Sequence, residues 1–161
     1  MYIGLLSDTH GVFSDEFRQF FSDVDVLWHA GDFGGGLDFI DSIRAFKPLV
    51  GVYGNCDGMD IRREFPCHQL LQVQGRKILM THIGGSPGHY DLRARALIDA
   101  YKPDIFICGH SHILKIMNDK ALGLLYVNPG AAGLQGWQVV RTALRFRIEQ
   151  GQIKDMEVFN L

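Results

Sequence analysis

The sequence lacks the features that mark membrane proteins and proteins that bind long nucleic acids. No apolar stretch approaches the ~20 residues that a bilayer-spanning helix needs, and no basic segment precedes the short apolar run at the start. The 16 basic and 18 acidic side chains give a formal charge of -2, so the cationic excess that long nucleic acids attract is missing. We therefore expect a cytoplasmic protein that binds neither a membrane nor long nucleic acid.

Cysteine is scarce, and linker sequence is absent. Cys56, Cys67 and Cys108 are odd in number and no two of them have C-x-x-C spacing, which argues against a disulfide framework. No repeat, charge run or low-complexity segment divides the chain, and 47% of its residues are hydrophobic. This composition predicts one domain over residues 1–161 with reduced thiols.

Hydrophobic periodicity changes along the chain. Strand-like and helix-like segments alternate at first, and paired strands with turns dominate later. The predicted elements are strands at 2–6, 24–29, 49–53 and 104–108, helices at 14–21, 37–46 and 92–101, and hairpins at 70–81, 113–127 and 140–159. The pattern predicts an α/β fold in which two mixed β-sheets pack as a β-sandwich flanked by helices.

Side chains that can bind metal ions follow five of these predicted strands directly. They are Asp8, His10, Asp32, Asn55, His82, His110 and His112. Loops at the carboxyl ends of strands converge at one edge of an α/β sheet. Seven mixed nitrogen and oxygen donors exceed what one tetrahedral zinc takes, and they suit two divalent ions of higher coordination number. Two such ions would leave the site positively charged and suited to a phosphate anion.

Each of these residues also has an ordinary structural interpretation. Asp8 and Asp32 could cap helices or turns, and Asn55 could form a turn before Asp57. The coincidence of four histidines and two aspartates at five strand ends favours a site over that interpretation. His29, which alternates with core residues on its strand, is expected to be a buried, hydrogen-bonded side chain and not a ligand.

The same segments carry a family resemblance through five motifs in a fixed order. The motifs are Asp8-Thr9-His10, Gly31-Asp32, Gly54-Asn55-Cys56-Asp57, His82, and Gly109-His110-Ser111-His112. Their order resembles the calcineurin-like metallophosphoesterase superfamily, whose pattern is D-x-H, G-D, G-N-H-(D/E), H and G-H-x-H. The small size and the G-N-C-D form look most similar to its compact prokaryotic phosphodiesterase branch.

The resemblance implies a division of the seven donors between two metal ions. Asp8, His10, Asp32 and His112 would hold the first ion. Asn55, His82 and His110 would complete the second, with Asp32 bridging. The implied mechanism is in-line attack on phosphorus by a metal-bridging hydroxide, in which Asp32, Asn55 and His82 act through the activated water. Manganese is the expected ion, and nickel, iron and zinc are alternatives.

Two positions depart from the family pattern: Cys56, and Ala131, where Asn-Pro-Gly is commonly followed by serine. Cys56 stands where many members have the histidine of G-N-H, and a neutral thiol is a poorer proton donor than imidazolium near neutral pH. Cys56, Asp57 and His89 are therefore only candidate substrate or outer contacts. We expect a preference for phosphodiesters with good leaving groups, unless His89 or a water molecule serves as the acid.

The sequence thus predicts a phosphodiesterase acting on small organic phosphodiesters, and three alternatives stay open. A phosphomonoesterase or a nuclease would use the same chemistry with a different substrate pocket. A catalytically silent metal-binding scaffold would use the fold for protein contacts, although such a protein is expected to lose ligands. The resemblance also suggests a homodimer or small homo-oligomer.

Overall fold

The computed structural model describes residues 1–161 as two five-stranded sheets with helices on their outer faces. In chain order the elements are β1 (Tyr2–Leu6), α1 (Asp15–Phe20), β2 (Val26–His29), α2 (Gly36–Phe46), β3 (Leu49–Gly51), α3 (Met59–Glu64), β4 (His68–Val73), β5 (Arg76–Thr81), β6 (Gly85–Ser86), β7 (His89–Tyr90), α4 (Leu92–Tyr101), β8 (Ile105–Ile107), β9 (Leu114–Asp119), β10 (Leu124–Pro129), β11 (Thr142–Glu149) and β12 (Gln152–Asn160). No helix is both long and apolar enough to cross a bilayer.

Both large sheets mix parallel and antiparallel pairing. The first has the order β12-β11-β1-β2-β3, with β1, β2 and β3 parallel and β11 antiparallel to β1. The second has the order β4-β5-β8-β10-β9, in which β5, β8 and β10 are parallel and the edge strands run against them. Strands β6 and β7 form a separate small hairpin. The predicted fold of two mixed sheets flanked by helices is confirmed.

The hydrophobic core lies mainly between the two sheets. Its largest cluster joins residues of both sheets, including Trp28 and Phe146 of the first and Met80 and Ile107 of the second. A second cluster packs α1 and α2 against the first sheet, and a third packs α4 against the second. Because β1, β2 and β8 are covered on both faces, their sequences are continuous apolar runs without alternation.

Helix α3 has no counterpart among the elements predicted from the sequence. It is six residues long and buries only Ile61, so it offers too little periodicity to be recognised. The hairpins and the other helices lie where the pattern places them, with ends that differ by at most two residues. Helix α3 matters for the site, because Arg62 contacts the loop that carries Asn55.

Candidate metal centre

The loops that follow β1, β2, β5 and β8 meet at one edge of the two sheets and are hydrogen-bonded to one another. The Asp8 N–H donates to Gly31 O at 2.9 Å and the His10 N–H donates to Asp32 O at 3.2 Å. In the second sheet, the Gly109 N–H donates to His82 O at 2.9 Å, and between the sheets the His110 N–H donates to Asp8 Oδ2 at 3.1 Å. These bonds hold four loops from distant parts of the sequence at fixed spacing, so their side chains have a defined geometry.

Five of the seven predicted ligands lie together. Donor atoms of Asp8, His10 and His112 lie within 4.8 Å of one another, and so do those of Asp8, Asp32 and His82. Each aspartate belongs to two such groups, since Asp32 also groups with His10 and Cys56. Either carboxylate is therefore placed to be shared by two ions.

The other two predicted ligands, Asn55 and His110, lie exposed at the rim of this cluster. The His110 ring centroid is 5.3 Å from that of His82, which places it beside the group of Asp8, Asp32 and His82. The side-chain amide of Asn55 donates to Cys56 Sγ at 3.4 Å. His110 belongs to none of the compact groups of histidine, cysteine and carboxylate donors, and the roles of Asn55 and His110 as ligands remain predictions.

The tautomer of His82 is fixed by a backbone carbonyl. Its Nδ1 lies 2.7 Å from Ala30 O, which only accepts, so Nδ1 carries the proton in the neutral ring. The unprotonated Nε2 then faces Asp32 Oδ2 at 3.3 Å and Asp8 Oδ1 at 3.9 Å. Three electron-rich atoms thus converge on one buried space.

Gln138 fixes His112 in the same way. Its side-chain NH₂ donates to Gln135 O at 2.7 Å and Gly133 O at 3.3 Å, so its Oε1 faces His112 Nδ1 at 2.8 Å as the acceptor. The lone pair of His112 Nε2 is then directed at Asp8 Oδ1, 3.1 Å away. Metal-binding histidines commonly donate their second N–H to such a partner, which fixes the ring and its tautomer.

The donor set fits a divalent cation. Asp8 Oδ1 and His82 Nε2 are buried and have no hydrogen-bond partner, which is costly for polar atoms in a protein interior. Facing acceptor atoms repel each other unless a positive charge lies between them. Imidazole nitrogens with carboxylate oxygens are a ligand set that first-row divalent metals accept.

The electrostatic potential at the centre also favours a bound cation. Burial alone would raise the pKa of Asp32 and of Asp8, but the nearby imidazoles of His82 and His112, which can carry positive charge, outweigh it and hold both carboxyl pKa values below their usual range. Burial would likewise lower the pKa of His82, yet Asp32 and Asp8 raise it above its usual value. The negative field that favours a proton on His82 also favours a metal ion.

Five of the predicted ligands adopt a left-handed backbone conformation that non-glycine residues rarely adopt. The φ angles are 54° for Asp8, 46° for His10, 55° for Asp32, 67° for His110 and 59° for His112. Residues in such conformations typically cost ~1–3 kcal/mol each and cluster at functional sites. The backbone therefore directs these side chains toward the centre and its rim at the expense of stability.

Replacing His110 tests this cost directly. We expect metal-free His110→Gly to be more stable than His110→Ala by ~1 kcal/mol, because alanine at positive φ keeps the Cβ clash that glycine avoids. Urea unfolding of both variants measures the difference. The same two substitutions at Arg95, which is exposed within helix α4, should give the opposite order of stability, because alanine favours the helix more than glycine does. Equal stability of the two His110 variants would contradict the claim that the backbone is strained at this position.

The three residues predicted as substrate contacts or supports of the ligands, Cys56, Asp57 and His89, have different surroundings. Asp57 is buried and accepts from the N–H groups of Gly34 at 3.0 Å and Gly54 at 2.8 Å, so it ties two site loops together. The Cys56 N–H donates to Asp32 Oδ1 at 2.8 Å, and burial together with Asp32 raises the pKa of the Cys56 thiol. His89 is exposed on β7 and belongs to none of the donor groups.

His29 is the buried, hydrogen-bonded side chain that the sequence predicts. Its Nδ1 accepts the Gly31 N–H at 3.1 Å, and its Nε2 lies 2.9 Å from Thr9 Oγ1. Complete burial lowers its pKa to about 3, so the ring is neutral, and it stacks on Phe33 at 3.7 Å between centroids. It connects the loops after β1 and β2, and because both ring nitrogens are hydrogen-bonded, it has no free lone pair for a metal ion.

Sequence reasoning missed two residues that hold the site. Gln138 is 26 residues from His112, in a loop of no regular structure, and no motif signals it. Ser7 donates its hydroxyl to Asp8 Oδ2 at 2.5 Å. The position of Ser7 directly before Asp8 was a usable signal, because a buried hydroxyl beside a ligand carboxylate commonly orients it.

Comparison with known proteins gives one family match and several similar folds. The description of the matching family model is calcineurin-like phosphoesterase superfamily domain, and it covers residues 1–151. No curated protein matches the chain.

Solved structures cover the full length of the chain. Vps29 from Entamoeba histolytica complexed with Zn²⁺ has a TM-score of 0.76 at 17% identity, covering 100% of this chain and 98% of that one. Vps29 from Chaetomium thermophilum has a TM-score of 0.79 at 14% identity over 100% and 97%. A novel archaeal phosphodiesterase has a TM-score of 0.71 at 24% identity over 100% of both chains. At these identities the likeness establishes the fold.

Proposed function

Because the chain belongs to the calcineurin-like phosphoesterase superfamily, we propose that it is a divalent-metal-dependent phosphodiesterase acting on small organic phosphodiesters. The observation that carries the proposal is the convergence of electron-rich atoms at the strand ends. Asp8 Oδ1 and His82 Nε2 are buried without hydrogen-bond partners, and Asp32 Oδ2 and His112 Nε2 face them. The similar fold of an archaeal phosphodiesterase supports the same reaction class.

The seven residues have distinct roles in this proposal. Asp8, His10, Asp32 and His112 would hold one ion. Asn55, His82 and His110 would hold the second together with Asp32. Bound ions would supply activated water and neutralise charge on the phosphoryl oxygens. Gln138 and Ala30 O keep the His112 and His82 lone pairs directed inward, and Ser7 orients the Asp8 carboxylate. The chain's own contribution is thus a rigid set of ligands whose hydrogen bonds fix the tautomers.

Cys56 bears on the choice of substrate. The raised pKa of its thiol keeps it neutral, so it is a poor source of the proton that an alkoxide leaving group needs. Exposed His89 lies outside the donor cluster. We therefore propose that phosphodiesters with good leaving groups are preferred, with manganese as the expected ion and nickel, iron and zinc as alternatives.

The alternatives differ in what surrounds the same centre. A phosphomonoesterase or a nuclease would keep the two-ion chemistry. A metal-binding scaffold could use the same buried acceptors, but a catalytically silent scaffold is expected to lose ligands, and the presence of all seven predicted ligands favours an enzyme. Three free thiols suit a cytoplasmic location, which we propose together with a small homo-oligomeric state.

Metal add-back tests the proposal. Chelator-treated protein should not hydrolyse bis(p-nitrophenyl) phosphate, and Mn²⁺, Ni²⁺ or Zn²⁺ should restore turnover, because the donor set alone supplies no nucleophile. Parallel assays with p-nitrophenyl phosphate compare a diester with a monoester. Monoester preference would change the substrate class. No turnover with any ion, despite binding detected by calorimetry, would sink the enzyme proposal and favour the scaffold.

A further inference from the structure

A cavity opens directly from the candidate metal centre. Its volume is about 350 Å³, and His82 and Asn55 line the end that adjoins the centre. Arg62 of α3 and Arg93 of α4 form another part of its wall. This size suits one arm of a small phosphodiester. A cavity of about 390 Å³ elsewhere is lined by none of the predicted ligands, so it does not compete for this role.

The two arginines of this cavity carry uncompensated charge. The arginines that form salt bridges are Arg44, Arg76, Arg95, Arg145 and Arg147. Arg62 and Arg93 are exposed and pair with no carboxylate. Unpaired guanidinium groups in a concave site attract anions and present donors in a geometry that suits carboxylate and phosphate.

Arg62 is held in place by the loop that bears Asn55. Its Nε donates to Asp57 O at 2.7 Å and its Nη2 donates to Asn55 O at 3.1 Å. The guanidinium carbon also lies 4.8 Å from the centre of the Tyr53 ring. Arg62 therefore joins the wall of the cavity to the rim of the metal centre and needs no reorganisation to present its charge.

The one acidic residue in the cavity wall, Asp91, is engaged by a helix terminus and not by the arginines. Asp91 caps helix α4, and its Oδ2 accepts from the N–H groups of Arg93 and Ala94 at 2.9 and 3.2 Å. The carboxylate thus satisfies the first turn of the helix and forms no ion pair with either arginine of the cavity. His68 adds a further N–H donor to the same wall.

We propose that this cavity binds a terminal anionic group on one arm of the substrate, so that the preferred substrates are phosphodiesters ending in a carboxylate or a second phosphate. The inference rests on the proposed phosphodiesterase function and names the substrate class of the same centre. Arg93 is the specificity-determining residue, because its guanidinium has no other partner. Arg62 contributes charge while it positions the Asn55 loop.

Three nitrophenyl phosphodiesters test this inference with the metal-loaded protein. Their second arms have the same alkyl linker, which ends in a carboxylate in one substrate, a phosphate in another and an uncharged methyl ester in the third. We expect kcat/KM to be about tenfold higher for the anionic arms than for the ester, a ratio that corresponds to ~1.4 kcal/mol. Arg93→Gln should remove most of this ratio, and higher ionic strength should reduce it in the wild type.

Arg95→Gln is the matched control. Arg95 lies on the same exposed helix but pairs with Asp99 at 3.0 Å outside the cavity, so its variant should keep the wild-type ratio. If kcat/KM rises for only one of the two anionic substrates, the subsite is specific for that group, phosphate or carboxylate. Equal kcat/KM for all three substrates in the wild type, or an unchanged ratio in Arg93→Gln, would overturn the inference.

Binding separates this inference from the proposed function. Non-hydrolysable phosphonate analogues of the same arms can be titrated into wild-type protein and Arg93→Gln by calorimetry. Tighter binding of the anionic analogues that depends on Arg93 supports the subsite even if no substrate is cleaved. Hydrolysis of all substrates without such a difference in affinity leaves the phosphodiesterase in place and refutes the subsite.

Discussion

Asp32→Asn should reduce metal-dependent diester hydrolysis by roughly a thousandfold, since losing an anionic ligand costs several kcal/mol of transition-state stabilisation and ~1.4 kcal/mol is a factor of ten. Asparagine keeps an oxygen that can accept the Cys56 N–H, now 2.8 Å from Asp32 Oδ1, so the loop is preserved. The charge that faces His82 at 3.3 Å is lost. Steady-state kinetics at saturating Mn²⁺ measures the effect.

The stability of Asp32→Asn separates this loss from unfolding. Because His82 stabilises the Asp32 carboxylate and lowers its pKa, losing that charge should lower the urea midpoint of the metal-free protein modestly, and the variant should still be fully folded under the assay conditions. Asp38→Asn, an exposed residue in the first turn of α2, is the matched control and should keep full activity. Wild-type turnover in Asp32→Asn would refute the assignment of Asp32 as the shared ligand.

Gly54→Ala should impair the site without changing any donor. A Cβ at residue 54 would overlap Oδ1 and the backbone nitrogen of Asp32, which cannot move without leaving the cluster. We expect at least tenfold weaker binding of the divalent ion and about a hundredfold lower kcat, the range of losses seen when a ligand's support is removed. Overpacking should lower the free energy of unfolding by ~1–3 kcal/mol. Calorimetry and urea unfolding measure the two effects.

Gly58→Ala is the control for Gly54→Ala. Gly58 has an ordinary φ of -74°, and a Cβ there would meet only the carboxylate end of the Asp60 side chain, which can rotate away. Its metal affinity should match the wild type. If Gly54→Ala binds the ion as tightly as Gly58→Ala, then the Asp32 carboxylate is not confined by the close approach of residue 54.

The sequence was sufficient to predict the fold and the gathering of most donors for a simple reason. Asp8, Asp32 and His82 follow immediately after buried strands, and the ends of such strands can meet only at an edge of the sheets. The family resemblance supplied the order of the motifs. Hydrophobic runs, which reveal strand positions, therefore also locate the side chains that come next.

Other parts of the centre leave no local trace in the sequence. The partner of His112 is Gln138, in an irregular loop, and the partner of His82 is the backbone carbonyl of Ala30. Both depend on three-dimensional proximity and not on spacing in the chain. Helix α3 is too short for periodicity to reveal it, so the place of Arg62 in the cavity wall was equally hidden.

The pairing of β1 has a consequence for biosynthesis. β1 leads directly into the loop that bears Asp8 and His10. It lies between β2, made soon after it, and β11, which is made only after every donor of the centre. Until the ribosome has synthesised Thr142–Glu149, one edge of β1 has no partner. Pairing β1 with β11 then closes a long loop, which costs entropy and slows this step of folding. The ligand-bearing N-terminal segment is therefore the first part of the site to be translated and among the last to be secured. Until then its unpaired N–H and C=O groups are open to pairing with strands of other chains.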